Sequence, residues 1–181
     1  MGDGLTGAPR SVVTIGDSLL AGGNSRRSIA SRLAAILRAT TGEPLLPLDL
    51  SAGGLRGAIG HAAEFGPLRP ALLVPCLGWA DSPDSPSPAW WVPDAEALIL
   101  ACAAVAPTVL VIAPPSERSG NRSRRWHSRV RAALAGVSRV PILDLSGMDV
   151  HRFLTPEQSA EVAHRVAEVA ASQPGSAFPR A

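Results

Sequence analysis

The sequence predicts an α/β protein built on a parallel sheet. Three observations lead there. Short apolar runs rich in β-branched residues alternate with longer stretches whose apolar residues recur at helical spacing. Glycine-rich or polar turns follow the strand candidates, at the strand ends where such sheets bind ligands. A length of 181 residues, 46% hydrophobic and 18% charged, suits one domain with a real core.

The elements follow in order. Residues 1–10, MGDGLTGAPR, contain no apolar secretory segment and are read as a flexible N-terminus, with the domain spanning 11–172. Residues 12–15 (VVTI) form the first strand, and 28–39 the first helix. Residues 45–50 form the second strand, followed by Ser51-Ala52-Gly53-Gly54 and a short helical piece over 57–64. The apolar run 71–77 is the third strand, and Gly78-Trp79-Ala80-Asp81 follows it. Residues 81–93, DSPDSPSPAWWVP, read as a proline-rich loop before a helix over 93–105. A strand over 108–113, a helix over 122–135 and a strand over 140–145 come next. The last helix covers 156–171, with Thr155 as its N-cap and Pro156 at its first position. Residues 173–181 are expected to be a disordered tail.

Charge and cysteine usage exclude several partners. All 17 basic residues are arginine, and the net charge is only +2. The densest basic stretch is RSRRWHSRVR, Arg122 to Arg131. Arginines around a stackable Trp126 resemble a nucleic-acid surface, but a charge run at helical spacing more simply faces water, so no nucleic acid is expected. No run is long enough to cross a bilayer, so no membrane partner is expected. Cys76 and Cys102 lie in apolar runs and read as buried thiols of a reducing compartment, which points to the cytoplasm.

The stretch VVTIGDSLLAGG places Ser18 at the mouth of the first strand. A phosphate loop of the G-x-x-x-x-G-K-[ST] type needs a lysine, and the chain has none. The dinucleotide pattern G-x-G-x-x-G fails because Gly16 is next matched only at Gly22. The elbow G-x-S-x-G fails because Leu20 stands at its second glycine. A serine nucleophile on a different α/β scaffold remains. Its hydroxyl needs a base, and the base needs an orienting group. His151, after the fifth strand, is the candidate base. Asp149 is the candidate acid, and Asp144 at the end of that strand is the alternative. Backbone N–H groups at Ser18 and Gly54 are candidate oxyanion donors. Trp79, Trp90 and Trp91 either line an acyl pocket or cover the sheet end. Asp17 is expected to anchor the turn, and Asp81 to brace its loop. His61, His127 and His164 read as surface residues of helices.

GDSLLAGG, LDLSAGGLRG, PALLVPCLGWAD and DVHRFLTPEQSAEVAHRVAE resemble, in order, four blocks of the SGNH (GDSL) hydrolases. The resemblance runs from about Val12 to Ala171. It implies a three-layer α/β/α sandwich with a five-stranded parallel sheet, flavodoxin-like in order. It also implies a serine esterase, lipase, thioesterase or acyltransferase without metal or organic cofactor, acting on a small-molecule or acyl ester substrate. In that pattern Ser18 is the nucleophile and Gly54 an oxyanion donor. The chain departs from the pattern at three places. Asp49 stands where the second block usually has asparagine. Ala80 stands at the third-block asparagine, normally a further oxyanion donor. His151 lies two residues after Asp149, where the fifth block spaces them by three, with Arg152 at the third. Two readings follow: a Ser-His-Asp acyl hydrolase, or an SGNH-fold binding or regulatory protein whose chemistry has weakened.

Overall fold

The computed structural model describes residues 10–21, 27–51, 53–79, 81, 88–117, 121–137, 140–150, 153–174, 176 and 178. In chain order the elements are β1 (Arg10–Gly16), α1 (Ile29–Thr41), β2 (Leu45–Leu50), α2 (Gly54–Gly60), β3 (Pro70–Cys76), α3 (Pro88–Val105), β4 (Val111–Ala113), β5 (Ser116–Glu117), α4 (Asn121–Gly136), β6 (Ile142–Asp144), β7 (Asp149–Val150) and α5 (Pro156–Ser172). Five strands form one parallel sheet in the order β2-β1-β3-β4-β6. This is the three-layer, flavodoxin-like arrangement expected. Strand order reverses between β1 and β3, which is where such sheets open a crevice for ligands.

Successive β-strand side chains point to opposite faces, and the two cores follow that alternation. Val12, Leu72, Val74 and Cys76 join Ile29, Leu33 and Leu37 of α1 and Val162, Val166 and Ala170 of α5. Val13, Ile15, Leu73 and Leu77 join Leu55 of α2, Trp91, Leu98 and Cys102 of α3, and Trp126, Val130 and Leu134 of α4. Both thiols are free and buried.

Helix ends follow local chemistry. The Ser28 hydroxyl accepts from the Ser31 amide (3.3 Å) and caps α1, which stops at Gly42 with φ 74°. Thr155 and Gln158 form a reciprocal capping box at α5, with Pro156 just inside the helix.

Three expectations are corrected. Helix α3 begins at Pro88, so the loop expected to run to Pro93 ends earlier. Trp91, Ala95, Leu98 and Cys102 form one buried stripe at helical spacing, and that burial carries the helix through Pro93. The fourth strand is shorter than 108–113. Leu73 and Val109 make only an isolated bridge before β4 starts. The Leu73 and Leu77 amides donate toward that side, to Thr108 and Ile112. Pro75, between them in the alternation, has no N–H to give, so the ladder breaks there. The tail, finally, is not wholly disordered. Phe178 is 5% exposed and packs into the α1/α5 core, its amide donating to Ser176 Oγ (3.0 Å).

Beyond the carboxyl ends of β4 and β6 lies a second sheet of two short parallel strands, β5 and β7. No helix among the described residues is long and apolar enough to cross a membrane.

Candidate active site

Ser18 is the only exposed residue in the run 11–20. It opens a single 3-10 turn, Ser18–Ala21, just past β1 at the strand-order reversal. Leu19 and Leu20 are buried behind it, and the Leu20 amide donates to Asp17 O (3.2 Å). The turn is clamped on its apolar side and leaves one hydroxyl outward.

Gly16 lets this turn form. Its φ is 95°, and a Cβ there would lie 2.2 Å from Cys76 O. That carbonyl instead accepts the Asp17 amide at 2.8 Å. Asp17 is fully buried, and its Oδ2 accepts the Trp79 amide at 2.7 Å. It therefore anchors the turn as expected, and it also ties the segment after β3 to the one after β1. The Cys76 thiol lies well above its ordinary value, through burial first and then through the charge of Asp17, which accepts its hydrogen bond.

Gly53 and Gly54 both have positive φ, 76° and 60°. A Cβ on Gly54 would meet Asp81 Oδ1 at 2.6 Å and Asp17 Oδ1 at 3.5 Å. Gly54 thus sits against the carboxylate that precedes Ser18. Asp81 braces this contact: Oδ1 accepts the Leu55 amide (3.3 Å) and Oδ2 the Trp91 indole N–H (2.7 Å). Asp49, at the usual asparagine position, is held on the sheet, accepting from Thr14 Oγ1 (2.9 Å) and the Ser51 amide (3.0 Å).

The three tryptophans divide. Trp91 is fully buried with its N–H on Asp81, so it belongs to the core and does not line an open pocket. Trp90 is half-buried, with the Arg56 guanidinium 5.5 Å from its ring centroid. Trp79 is half-buried and stacks on His127, with ring centroids 5.0 Å apart. His127 is 3% exposed, which corrects its reading as a surface residue. Trp126 is buried as well, its indole donating to Gly78 O (3.0 Å) and meeting Trp91 edge-on, so it is no platform for a base. Arg124, Arg125, Ser128 and Arg129 form the exposed face of α4. Sequence reasoning missed both buried rings because the arginines dominate. The signal was the helical stripe Trp126, Val130, Leu134.

Asp149 is exposed on β7, paired in register with Ser116, and its carbonyl accepts Gln158 Nε2 (2.8 Å). Asp144 stands elsewhere. It lines a cleft of about 310 Å³ with Ala113, Arg131, Ala135 and Ile142 at the sheet edge, and accepts the Ser146 amide (2.8 Å) and hydroxyl (3.0 Å). His151 and Ala80 lie outside the described residues. Among the described residues, no group of three or more His, Cys, Asp or Glu side chains could hold a metal ion.

No family model matches the sequence, and no curated protein matches it. Solved structures do match. A lipase/acylhydrolase from Enterococcus faecalis superposes with a TM-score of 0.67 at 16% identity, over 87% of this chain and 93% of that one. An acetylxylan esterase from Geobacillus stearothermophilus superposes with a TM-score of 0.60 at 13% identity, over 90% of this chain and 93% of that one. Structures of that esterase include catalytic mutants at a serine, an aspartate and a histidine. At these identities the likeness establishes the fold.

Proposed function

We propose, from a chain with the fold of SGNH-type hydrolases, that it is a serine esterase with Ser18 as its nucleophile. The observation that carries this reading is the lone exposure of Ser18 in a buried run, on a clamped turn at the strand-order reversal. Two neighbours with the same fold are an esterase and an acylhydrolase, which supports ester chemistry.

In this reading Ser18 Oγ attacks the acyl carbonyl of an ester or thioester. His151 takes the hydroxyl proton and returns it to the leaving group. Asp149 orients His151; the engagement of Asp144 with Ser146 at a separate cleft favours Asp149 for the role. The N–H groups of Ser18 and Gly54 hold the oxyanion. Water then opens the acyl-enzyme, or an alcohol does in a transfer reaction. The substrate carries a small or medium acyl group, and the protein works in the cytoplasm.

The test is labelling by a fluorophosphonate probe together with hydrolysis of p-nitrophenyl esters. Native protein labels at one site and turns over, and Ser18→Ala abolishes both while melting at the native temperature. Turnover retained in Ser18→Ala would exclude Ser18 as nucleophile. Ala80, at the usual asparagine position, favours a second reading, a binding protein on the same fold. That protein would not label at all. A slow esterase would instead gain up to about 10²-fold in kcat from Ala80→Asn, as expected for one restored oxyanion donor.

A further inference from the structure

Two consecutive residues of α4 grip two consecutive residues after β3. The Trp126 indole donates to Gly78 O, and the His127 ring stacks on Trp79 with planes 13° from parallel. One turn further, Val130 fills the space beside Gly78, where a Cβ would meet its Cγ1 at 2.4 Å. Trp79 also packs against the α1/α5 core layer, whereas α4 lies in the opposite layer. Its side chain therefore crosses the carboxyl end of the sheet from one layer to the other. Its amide is bound to Asp17, the residue before Ser18. The half-buried indole thus stands at the carboxyl end of the sheet, on a segment whose backbone is tied to the residue before Ser18. This indole wall is backed by a buried ring on a helix that is itself fixed to the segment after β3.

We propose that Trp79 limits the acyl group to a short chain, and that His127 is the positioning residue that holds it there. This deepens the esterase reading and rests on it. A long acyl chain would have to displace the indole, which means breaking the stack. An acetyl group leaves it in place. His127 touches no reacting atom in this proposal and acts only through Trp79.

The experiment compares kcat/KM for p-nitrophenyl acetate and p-nitrophenyl octanoate. The variants are Trp79→Ala, His127→Leu, which fills the buried site without a stackable ring, and His127→Phe, which restores one. The native protein should favour acetate. Trp79→Ala should cut that preference at least about tenfold, mainly by lowering KM for octanoate. His127→Leu should move the ratio the same way, and should add little in the Trp79→Ala background. His127→Phe should return it to near the native value. A ratio unmoved by Trp79→Ala overturns the wall. A ratio moved by Trp79→Ala but not by His127→Leu, or not restored by His127→Phe, overturns the positioning role. Either result with fluorophosphonate labelling of Ser18 intact leaves the esterase reading standing. A native protein that neither labels nor turns over overturns both.

Discussion

The indole N–H of Trp91 donates to Asp81 Oδ2 at 2.7 Å, and through it the first turns of α3 hold the start of α2. The same carboxylate accepts the Leu55 amide, one residue past Gly54. Asp81→Ala leaves the fully buried Trp91 donor without its acceptor. It should cost about 1–3 kcal/mol, read as a lower denaturant midpoint at unchanged slope. It should also lower kcat on a short ester by more than it raises KM, because the Gly54 turn loses its brace. Asp81→Asn keeps an acceptor oxygen and should lose less of both. Equal losses in the two variants would mean that charge, not hydrogen bonding, is what the site needs.

Two glycines separate strain from collision. Gly42 has φ 74° with nothing within 4 Å of a Cβ, so Gly42→Ala should cost only about 1–2 kcal/mol. Gly16 has φ 95° and a backbone carbonyl 2.2 Å from its Cβ position. That carbonyl is laddered in a central strand and cannot retreat. Gly16→Ala should cost more than about 4 kcal/mol or prevent folding altogether. Thermal melts of the pair decide this, and similar losses would refute the collision.

Asp149→Asn should reduce kcat by roughly 10³–10⁴, as the loss of an orienting acid does in serine triads. Asp144→Asn should change it less than about threefold, because its carboxylate is engaged by Ser146 and faces a different cleft. Steady-state turnover of both variants settles the assignment. A large loss from Asp144→Asn alone would transfer the role.

Alkaline stability should report the two thiols. The chain has no tyrosine and no lysine, so only cysteine side chains titrate between pH 9 and 12. Burial pushes the Cys102 thiol from an ordinary 9.0 up to about 12, and Cys76 is raised by burial and by Asp17. Above pH 9 the unfolded chain loses protons that the folded chain keeps. Their contribution is fully present below pH 9 and is lost as pH rises toward 12, at up to about 1.4 kcal/mol per pH unit for each thiol. Denaturant midpoints measured from pH 8 to 11 should fall. In the Cys76→Ala, Cys102→Ala protein they should flatten, and a slope that survives there would assign the effect to something else.

Much of the architecture was legible because each strand is an apolar run closed by glycine or a polar turn. Residues 45–50 matched to the residue, and α5 was marked by Thr155-Pro156. What escaped the sequence depended on partners distant along the chain. The start of α3 is set by where Trp91 finds Asp81 and the core. The length of β4 is set by a proline in β3. His127 looked solvated because its neighbours are arginines, and only the third dimension supplies Trp79. At the strand ends, the place of Ser18 just past β1, the glycine turn at Gly53-Gly54 and the bracing roles of Asp17 and Asp81 were readable from turn chemistry. The division of labour among the tryptophans was not, since half-buried and fully buried indoles look alike in a sequence.

The gap at Pro75 also bears on how the protein breathes. Its amides should not exchange with solvent as one cooperative block. β1 pairs with β2 over six residues and with β3 over six, the latter with a register shift between Ser11 and Val12, and β4 pairs with β6 over three, but the seam between the halves is thinly bonded. Local opening is expected along that seam, where one in-register pair and one isolated bridge join β3 to β4. The seam separates the strands that carry Ser18 and Trp79 from the strands that lead to Asp149. Under the proposed esterase reading, fluctuation along it would vary the spacing of Ser18 and Asp149 without unfolding either half, so a nucleophile on a clamped turn would still belong to a centre that opens along a fault line.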